Sequence, residues 1–427
     1  STASPMAACA VPGTGGPETP KESASSAPAR VTVMFPGGGS EEEDFKPVFE
    51  AMAQKFPKIT AEWTPGGTGG YNAQYTDKVG SLLAAGDAPD VFKSLVFTFG
   101  QFAHSGAYYP LDDLIKRHAA EVKLDDFFPA HVEAGKYKGK KYSLPHDGAP
   151  QALWVNVDLH QREGLALPSW DTTWADLLKN ATALTKREGT AKASQLGMGR
   201  PEWLTWVWSA GGDLYSADGT RLLLDQPPAI EAFTWLQDAV HKHRVMPAPD
   251  EQSDPTLSNF VNGRIAAVTG VRGALGNFRN IDGFTYDAAP VPKGAKGRVA
   301  RLGVGYTSIW SGSKAKEASF TVLNFICSAE GQRLKISRGF AHPSRKSAVE
   351  EAWFKDYRTP RSASNRINTI FPDTIKRGEA RAVPAHPREA DINRVIESNL
   401  GALWNGSKSA REVAQNIVTE SASLMKG

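Results

Sequence analysis

The stretch that decides the fold is Arg30 to Thr64, RVTVMFPGGGSEEEDFKPVFEAMAQKFPKITAEWT, a strand, a helix and a second strand in a single run. RVTVMF is apolar and β-branched, and PGGG breaks it. Ser40 and Glu43 have capping-box spacing. After them Phe45, Val48, Phe49, Met52 and Phe56 fall at i, i+3, i+4, i+7 and i+11, which places one buried stripe on a helix. ITAEWT then reads as a strand. Working outward, Tyr75, Val79, Leu82 and Leu83 mark another helix, which Gly86 and Pro89 stop before a strand at DVF. Strand, helix, strand, helix, strand with short joints is an α/β pattern, a sheet covered by helices.

The same grammar returns later in the chain. In KYKGKKYSLPHDGAPQALWVN, residues 136–156, a strand runs into a Pro-His-Asp-Gly break and a second apolar strand, APQALWVN, follows it. Thr173 and Asp176 cap a helix carrying Trp174, Leu177, Leu178, Ala181 and Leu184. GRIAAVTG and YDAAPVP read as strands; late in the chain come TSIWSGS, a helix carrying Cys327 and two final helices, the last capped by Ser409 and Glu412. At 427 residues the chain is long enough for two lobes or more. No internal repeat of 20–50 residues is visible.

The composition excludes several classes. With 49 Lys and Arg against 46 Asp and Glu, the formal charge is +3, which leaves no polyanion footprint. The 41% hydrophobic content includes no apolar run of about 20 residues, so a soluble mature protein is expected. The two cysteines are too few for a disulfide scaffold or a zinc site. Cys327 sits among Ala318, Val322, Phe325 and Ile326 at helical spacing and is expected to be a buried, inert thiol. Cys9 follows Met-Ala-Ala, as in the lipid-modified cysteine of bacterial lipoproteins, although the preceding STASP is too polar for a signal-peptide core. The Pro, Gly, Ser and Ala that come after it describe a disordered tether over residues 1–30.

LLAAGDAPDVF, YYPLDDLI, YKGKKYSLPHDGAPQALWVNVDL, LPSWDTTWADLLKNATALTK, FVNGRIAAVTG and LGVGYTSIWSGSKAKEASFTVLNFICSAEGQ occur in one order. Together they resemble the extracellular solute-binding proteins of carbohydrate ABC importers, the family that includes the maltose-binding protein, over residues 31–425. The resemblance implies a two-lobed periplasmic-binding-protein-like fold with three interlobe crossings. Residues 31–146 with 303–343 would form the N-terminal lobe, and 147–302 with 344–427 the C-terminal lobe. It also implies a sugar or oligosaccharide held between the lobes and delivered to ABC permease subunits. The protein would be a monomer without cofactor or metal, lipid-anchored through Cys9 at the extracellular face of the membrane.

The resemblance places the break at Pro145–Gly148 where the chain first crosses between lobes, and makes Asp147 a hydrogen-bond acceptor for sugar hydroxyls; a turn-capping role is the alternative. It puts a ligand-stacking aromatic at Trp203, within RPEWLTWVWSAGGDLY. Trp206 joins the candidates, although alternate tryptophans equally describe one buried face of a helix or strand. Gly38, Gly39 and Ser40 would offer backbone amides at a helix N-terminus. Lys93 and Ser94 match a sugar-contacting region, with a departure at Ser94 and Phe97, where an aromatic or an acid is expected. Gly273 stands where the maltose binder has a tryptophan, Arg272 is its candidate replacement, and Tyr306 is expected at the second crossing.

Other classes have weaker support. A glycoside hydrolase needs two carboxylates about 5–10 Å apart, which 46 acids could supply anywhere. No G-x-S-x-G, H-E-x-x-H or phosphate-loop motif occurs, and His241 and His243 do not share a helix face. A lipid-tethered adhesin would lack a polar cleft. Within the resemblance, a polyol or a glycerophosphodiester is an alternative ligand.

Overall fold

The computed structural model describes residues 28–426 apart from 37–38, 68–72, 190–191, 252–255, 338 and 340. Cys9, the tether and Gly38 lie outside the described residues. The strands are β1 (Ala29–Phe35), β2 (Ile59–Pro65), β3 (Val91–Ser94), β4 (Lys136–Tyr137), β5 (Lys140–Lys141), β6 (Leu144–Pro150), β7 (Ala152–Asn156), β8 (Ala267–Gly270), β9 (Tyr286–Pro290), β10 (Ala300–Ile309) and β11 (Ala380–Ala382). The larger sheet has the order β11-β10-β3-β1-β2, and β6 also pairs with β10. β1 runs parallel to both β2 and β3, in the register Ala29↔Ile59 and Val33↔Val91.

Side-chain alternation along β1 explains how helices cover both faces of this sheet. Val31, Val33 and Phe35 turn to one side, where Phe45, Val48 and Met52 of the helix Gly39–Lys55 meet them. Met34 turns to the other side and packs with Tyr75, Val79 and Phe99. That first helix starts at Gly39, a residue ahead of the expected Ser40 cap. The expected capping boxes at Thr173 with Asp176 and at Ser409 with Glu412 are both present.

The second sheet, β8-β7-β9, is antiparallel. All five residues of β7 are buried, because each face of this strand has its own core. Leu153 and Val155 join Trp206, Phe233 and the C-terminal helices. Ala152 and Trp154 join Phe278 and Phe371. Each lobe is thus an α/β layer structure with its own sheet.

The predicted break at Pro145–Gly148 is instead part of one continuous strand, β6. β6 pairs only with β10, so it is an edge strand, where the missing N–H of Pro145 costs no ladder bond. The irregularity is a bulge: Gly305 lies opposite Asp147 and Tyr306 opposite Pro145, which leaves His146 as the extra residue. His146 packs its ring against Phe35, with centroids 5.4 Å apart. β6 ends at Pro150 and β7 starts at Ala152, so Gln151 alone separates the two sheets.

Cys327 is fully buried, and its thiol donates to the Leu144 carbonyl at 3.5 Å. Burial pushes the thiol up to about 12, so it stays protonated and inert.

Candidate functional site

A cavity of about 1140 Å³ lies where the ends of β3, β6 and β10 face the segment after β8. Its floor is charged. Lys335, from the helix Ala329–Ile336, donates to Asp147 at 2.5 Å, and Lys93 donates to Glu41 at 3.2 Å. Burial pushes the Asp147 carboxyl up, but His146, Lys335 and Lys93, together with the Lys335 hydrogen bond, outweigh it and hold the group well below the usual carboxylate range. For Lys335, burial pulls the amine down, and Asp147 and Glu41 more than restore it. Burial wins at Lys93, which is lowered despite Glu41 and Asp147.

Glycine is required opposite this network. A Cβ on Gly305 would stand 2.2 Å from Asp147 Oδ1, so any side chain there would displace the acid. Gly148 is similarly closed in: a Cβ would meet the His131 ring at 2.6 Å and the Gly303 carbonyl at 2.8 Å. His131 and His342 both hydrogen-bond the Gly148 carbonyl, at 3.0 and 3.1 Å, which fixes this wall.

A side chamber of about 350 Å³ adjoins the cleft and shares Phe97, Arg301 and Asn393 with it. The short helix Trp203–Ser209 forms one wall. Glu202 caps that helix, accepting from the Thr205 amide at 3.0 Å, and pairs with Arg301 Nε at 3.2 Å. The Arg301 amide in turn donates to Thr205 Oγ1 at 3.1 Å, which ties β10 to the same turn. Trp203 is thereby held at the chamber while Trp206 and Trp208, three and five residues on, point into the core.

Residues 38–333 match the bacterial extracellular solute-binding protein family. The chain belongs to this family. A Listeria monocytogenes ABC substrate-binding protein in complex with cycloalternan shares the fold with a TM-score of 0.81, at 21% identity over 93% of this chain and 99% of its own. Maltose-bound MalE3 of T. maritima does so with a TM-score of 0.76, at 22% identity over 93% and 100%. The sn-glycerol-3-phosphate-binding periplasmic protein UgpB of Yersinia pseudotuberculosis is 22% identical over 385 residues, 83% of this chain and 84% of its own.

In this solute-binding protein, Lys93, Ser94, Asp147 and Gly273 line the cleft and Trp203 lines the chamber. Glu41, from the helix that Gly39 and Ser40 begin, also reaches the cleft. Three expected residues face elsewhere. Trp206 is fully buried and stacked on Trp174, with centroids 6.2 Å apart, as the helical period requires of one face. Tyr306 is 2% exposed and lies on Phe99 at 4.6 Å, because the β10 alternation turns it into the sheet core. Arg272 is fully buried. It donates to the Gly339 and Ala341 carbonyls at 2.7 and 2.6 Å and to Asn368 Oδ1 at 2.9 Å, so it holds the backbone behind the cleft wall.

Sequence reasoning missed Lys335, Glu202, Arg301 and Glu389. Lys335 had no signal, since one lysine at the end of a helix matches any solvated lysine. Phe97, taken as a departure, is 37% exposed where cleft and chamber meet, an aromatic face open to a ligand. Among the described residues, no group of three His, Cys, Asp or Glu is placed to hold a metal ion, and no helix is long and apolar enough to cross a membrane.

Proposed function

We propose that this protein captures a sugar or oligosaccharide in the cleft between its lobes and delivers it, chemically unchanged, to the permease subunits of an ABC importer. The observation that carries this reading is the pairing of a large cleft, lined in part by charged and polar side chains, with aromatic faces at Phe97 and Trp203. A pyranose ring needs that combination, since its C–H face stacks on an aromatic ring and its hydroxyls need donors and acceptors. The saccharide ligands of the two structural relatives support the same reading. In this proposal the protein is a monomer, tethered by lipid on Cys9 at the extracellular face of the membrane. Residues 31–146 with 303–343 and 147–302 with 344–427 form its lobes, joined by three crossings. The single residue Gln151 between β6 of one sheet and β7 of the other supports a first crossing near this boundary, with β6 kept whole in the N-terminal lobe.

Ligand works here by favouring the closed state; moving a 1:99 mixture to 99:1 takes about 5.5 kcal/mol of differential binding. A second reading, a glycerol phosphate or glycerophosphodiester ligand, draws on Lys93 and Lys335 in the cleft floor and on the UgpB relative. Glu41 and Asp147 pair with these lysines, which favours the neutral ligand.

A thermal-shift screen of glucose, maltose, maltotriose, glycerol, sn-glycerol 3-phosphate and glycerophosphocholine tests the proposal. Ligand at 100 times its dissociation constant stabilises by about 2.7 kcal/mol. A saccharide is expected to give the shift and to be recovered intact after hours of incubation. A shift with the phosphate compounds alone supports the second reading, and cleaved saccharide would point to a hydrolase.

A further inference from the structure

The side chamber behind Phe97 holds an unusual concentration of unsatisfied polar atoms. Glu389 Oε2, Tyr215 Oη and Arg200 Nη2, of three residues that line it, are buried and make no hydrogen bond, and Arg301 Nε beside them has the Glu202 carboxylate at 3.2 Å. Glu389 is 4% exposed and Tyr215 is 7% exposed. A buried polar group without a partner costs about 1–3 kcal/mol, so three around one space is an arrangement that folding alone does not favour. Trp203 and Trp404 supply the apolar walls, and the Arg200 guanidinium lies 5.2 Å from the Trp404 ring centre.

We infer that this chamber is a subsite for one terminal ring of a neutral saccharide, whose hydroxyls satisfy Glu389, Tyr215 and Arg200. The inference rests on the sugar-binding reading and adds to it the end of the ligand that is recognised. Volume sets the size of the occupant: about 350 Å³ is near the lower limit of roughly 300 Å³ for small-molecule pockets, so one ring fits and a chain does not. Charge sets its neutrality. Glu202 already neutralises Arg301 at 3.2 Å, and Glu397 lines the same chamber as Arg200.

Glu389 acts here as a donor as well as an acceptor. The groups around it are Arg301 and Tyr306 from β10, Tyr215 from the turn after the helix Trp203–Ser209, and His386 from the preceding loop. Burial pushes its carboxyl up to about 8, against the His386 backbone hydrogen bond and Arg301, so the acid is mainly protonated at neutral pH.

Glu389→Gln, Glu389→Ala and Trp404→Ala, titrated calorimetrically with glucose, maltose, maltotriose and sn-glycerol 3-phosphate at pH 6.5 and pH 9, test the assignment. The best wild-type saccharide should bind at least tenfold more weakly to Glu389→Ala and to Trp404→Ala. Wild-type affinity should fall from pH 6.5 to pH 9, and Glu389→Gln should bind equally at both. Without ligand, Glu389→Gln should melt higher than wild type at pH 8 and near it at pH 4.5, because the folded acid keeps its proton above the pH at which the unfolded acid loses it. Saccharide affinity unchanged in Glu389→Ala and Trp404→Ala overturns the subsite and leaves the cleft reading standing. Binding of sn-glycerol 3-phosphate that is lost in Trp404→Ala overturns the neutral-ring assignment. If no saccharide binds wild type, the sugar reading fails and the subsite fails with it.

Discussion

Asp147 and Lys335, 188 residues apart in sequence, meet at 2.5 Å on the cleft floor. The pair ties the bulged strand β6 to the helix Ala329–Ile336, with Asp147 15% and Lys335 7% exposed in their side chains. Both charges are held in place before any ligand arrives. On the proposed function, a ligand hydroxyl would meet a carboxylate already oriented by its counter-ion, a form of preorganisation that lowers the cost of binding.

Asp147→Asn should be costly. It removes the charge that balances Lys335 and leaves Lys335 buried without its counter-ion, a loss that typically amounts to about 3–5 kcal/mol. The folded-state carboxyl titrates below its unfolded value, so its stabilisation is fully present above the unfolded value near pH 4 and is lost as pH falls through the lower folded value. Urea unfolding at pH 7 and pH 3 should show a large gap between wild type and variant at pH 7 and a smaller one at pH 3. Equal gaps at both pH values would mean that the ion pair contributes nothing.

Trp203 and Trp206 are three residues apart on one short helix, and their substitution should separate binding from folding. Trp203→Ala is expected to weaken saccharide affinity more than tenfold, about 1.4 kcal/mol, with little change in the denaturant midpoint. Trp206→Ala empties a core site between Trp174 and Trp235 and should cost about 3–5 kcal/mol of stability. Calorimetry and denaturant melts on the same preparations read both effects. A stability loss in Trp203→Ala as large as that in Trp206→Ala would make Trp203 a core residue.

The contrast between these tryptophans shows where sequence is informative. Periodicity located β1, the helix after it and β2, because side chains that must be buried recur at the period of the element. It also allowed Trp206 and Trp208 to be a buried face. The cleft is built differently, from residues that meet only through topology: Lys335 reaches Asp147 across the sheet, and Glu389 reaches the chamber from the start of a C-terminal helix. Such residues carry no local spacing. Asp147 was found through resemblance, yet the break around it was misread, since a proline and a glycine in an edge strand with a bulge leave the same trace as an interruption.

Lipid attachment at Cys9 is testable apart from the fold. Cys9→Ala, expressed in the native host beside wild type, should move the protein from the detergent phase to the aqueous phase on phase separation. A single chain gives only marginal membrane binding, so a stably anchored wild type would carry more than one acyl chain. Equal partition of the two proteins would remove the anchor.

Arg272 offers the sharpest test of how the cleft wall is supported. Its guanidinium lies over the Phe354 ring at 4.6 Å and donates to two carbonyls, Gly339 and Ala341, on the segment that leads to His342 in the cleft. Burial lowers its pKa to about 9, which leaves it charged at neutral pH. Gly339 has φ of +88° and a Cβ there would overlap Tyr357, so only glycine fits at this point of the wall. Arg272→Met retains much of the apolar stem but removes the guanidinium donor from the Gly339, Ala341 and Ile367 carbonyls and from Asn368 Oδ1. At about 1–3 kcal/mol for each unsatisfied group, the variant should lose at least about 3 kcal/mol. Arg272→Lys restores the charge without the planar fork and should recover only part of it. Because Arg272 touches the wall rather than the ligand, saccharide affinity should fall in both variants, and less in Arg272→Lys. A variant with wild-type stability and lowered affinity would instead place the guanidinium in direct contact with the ligand.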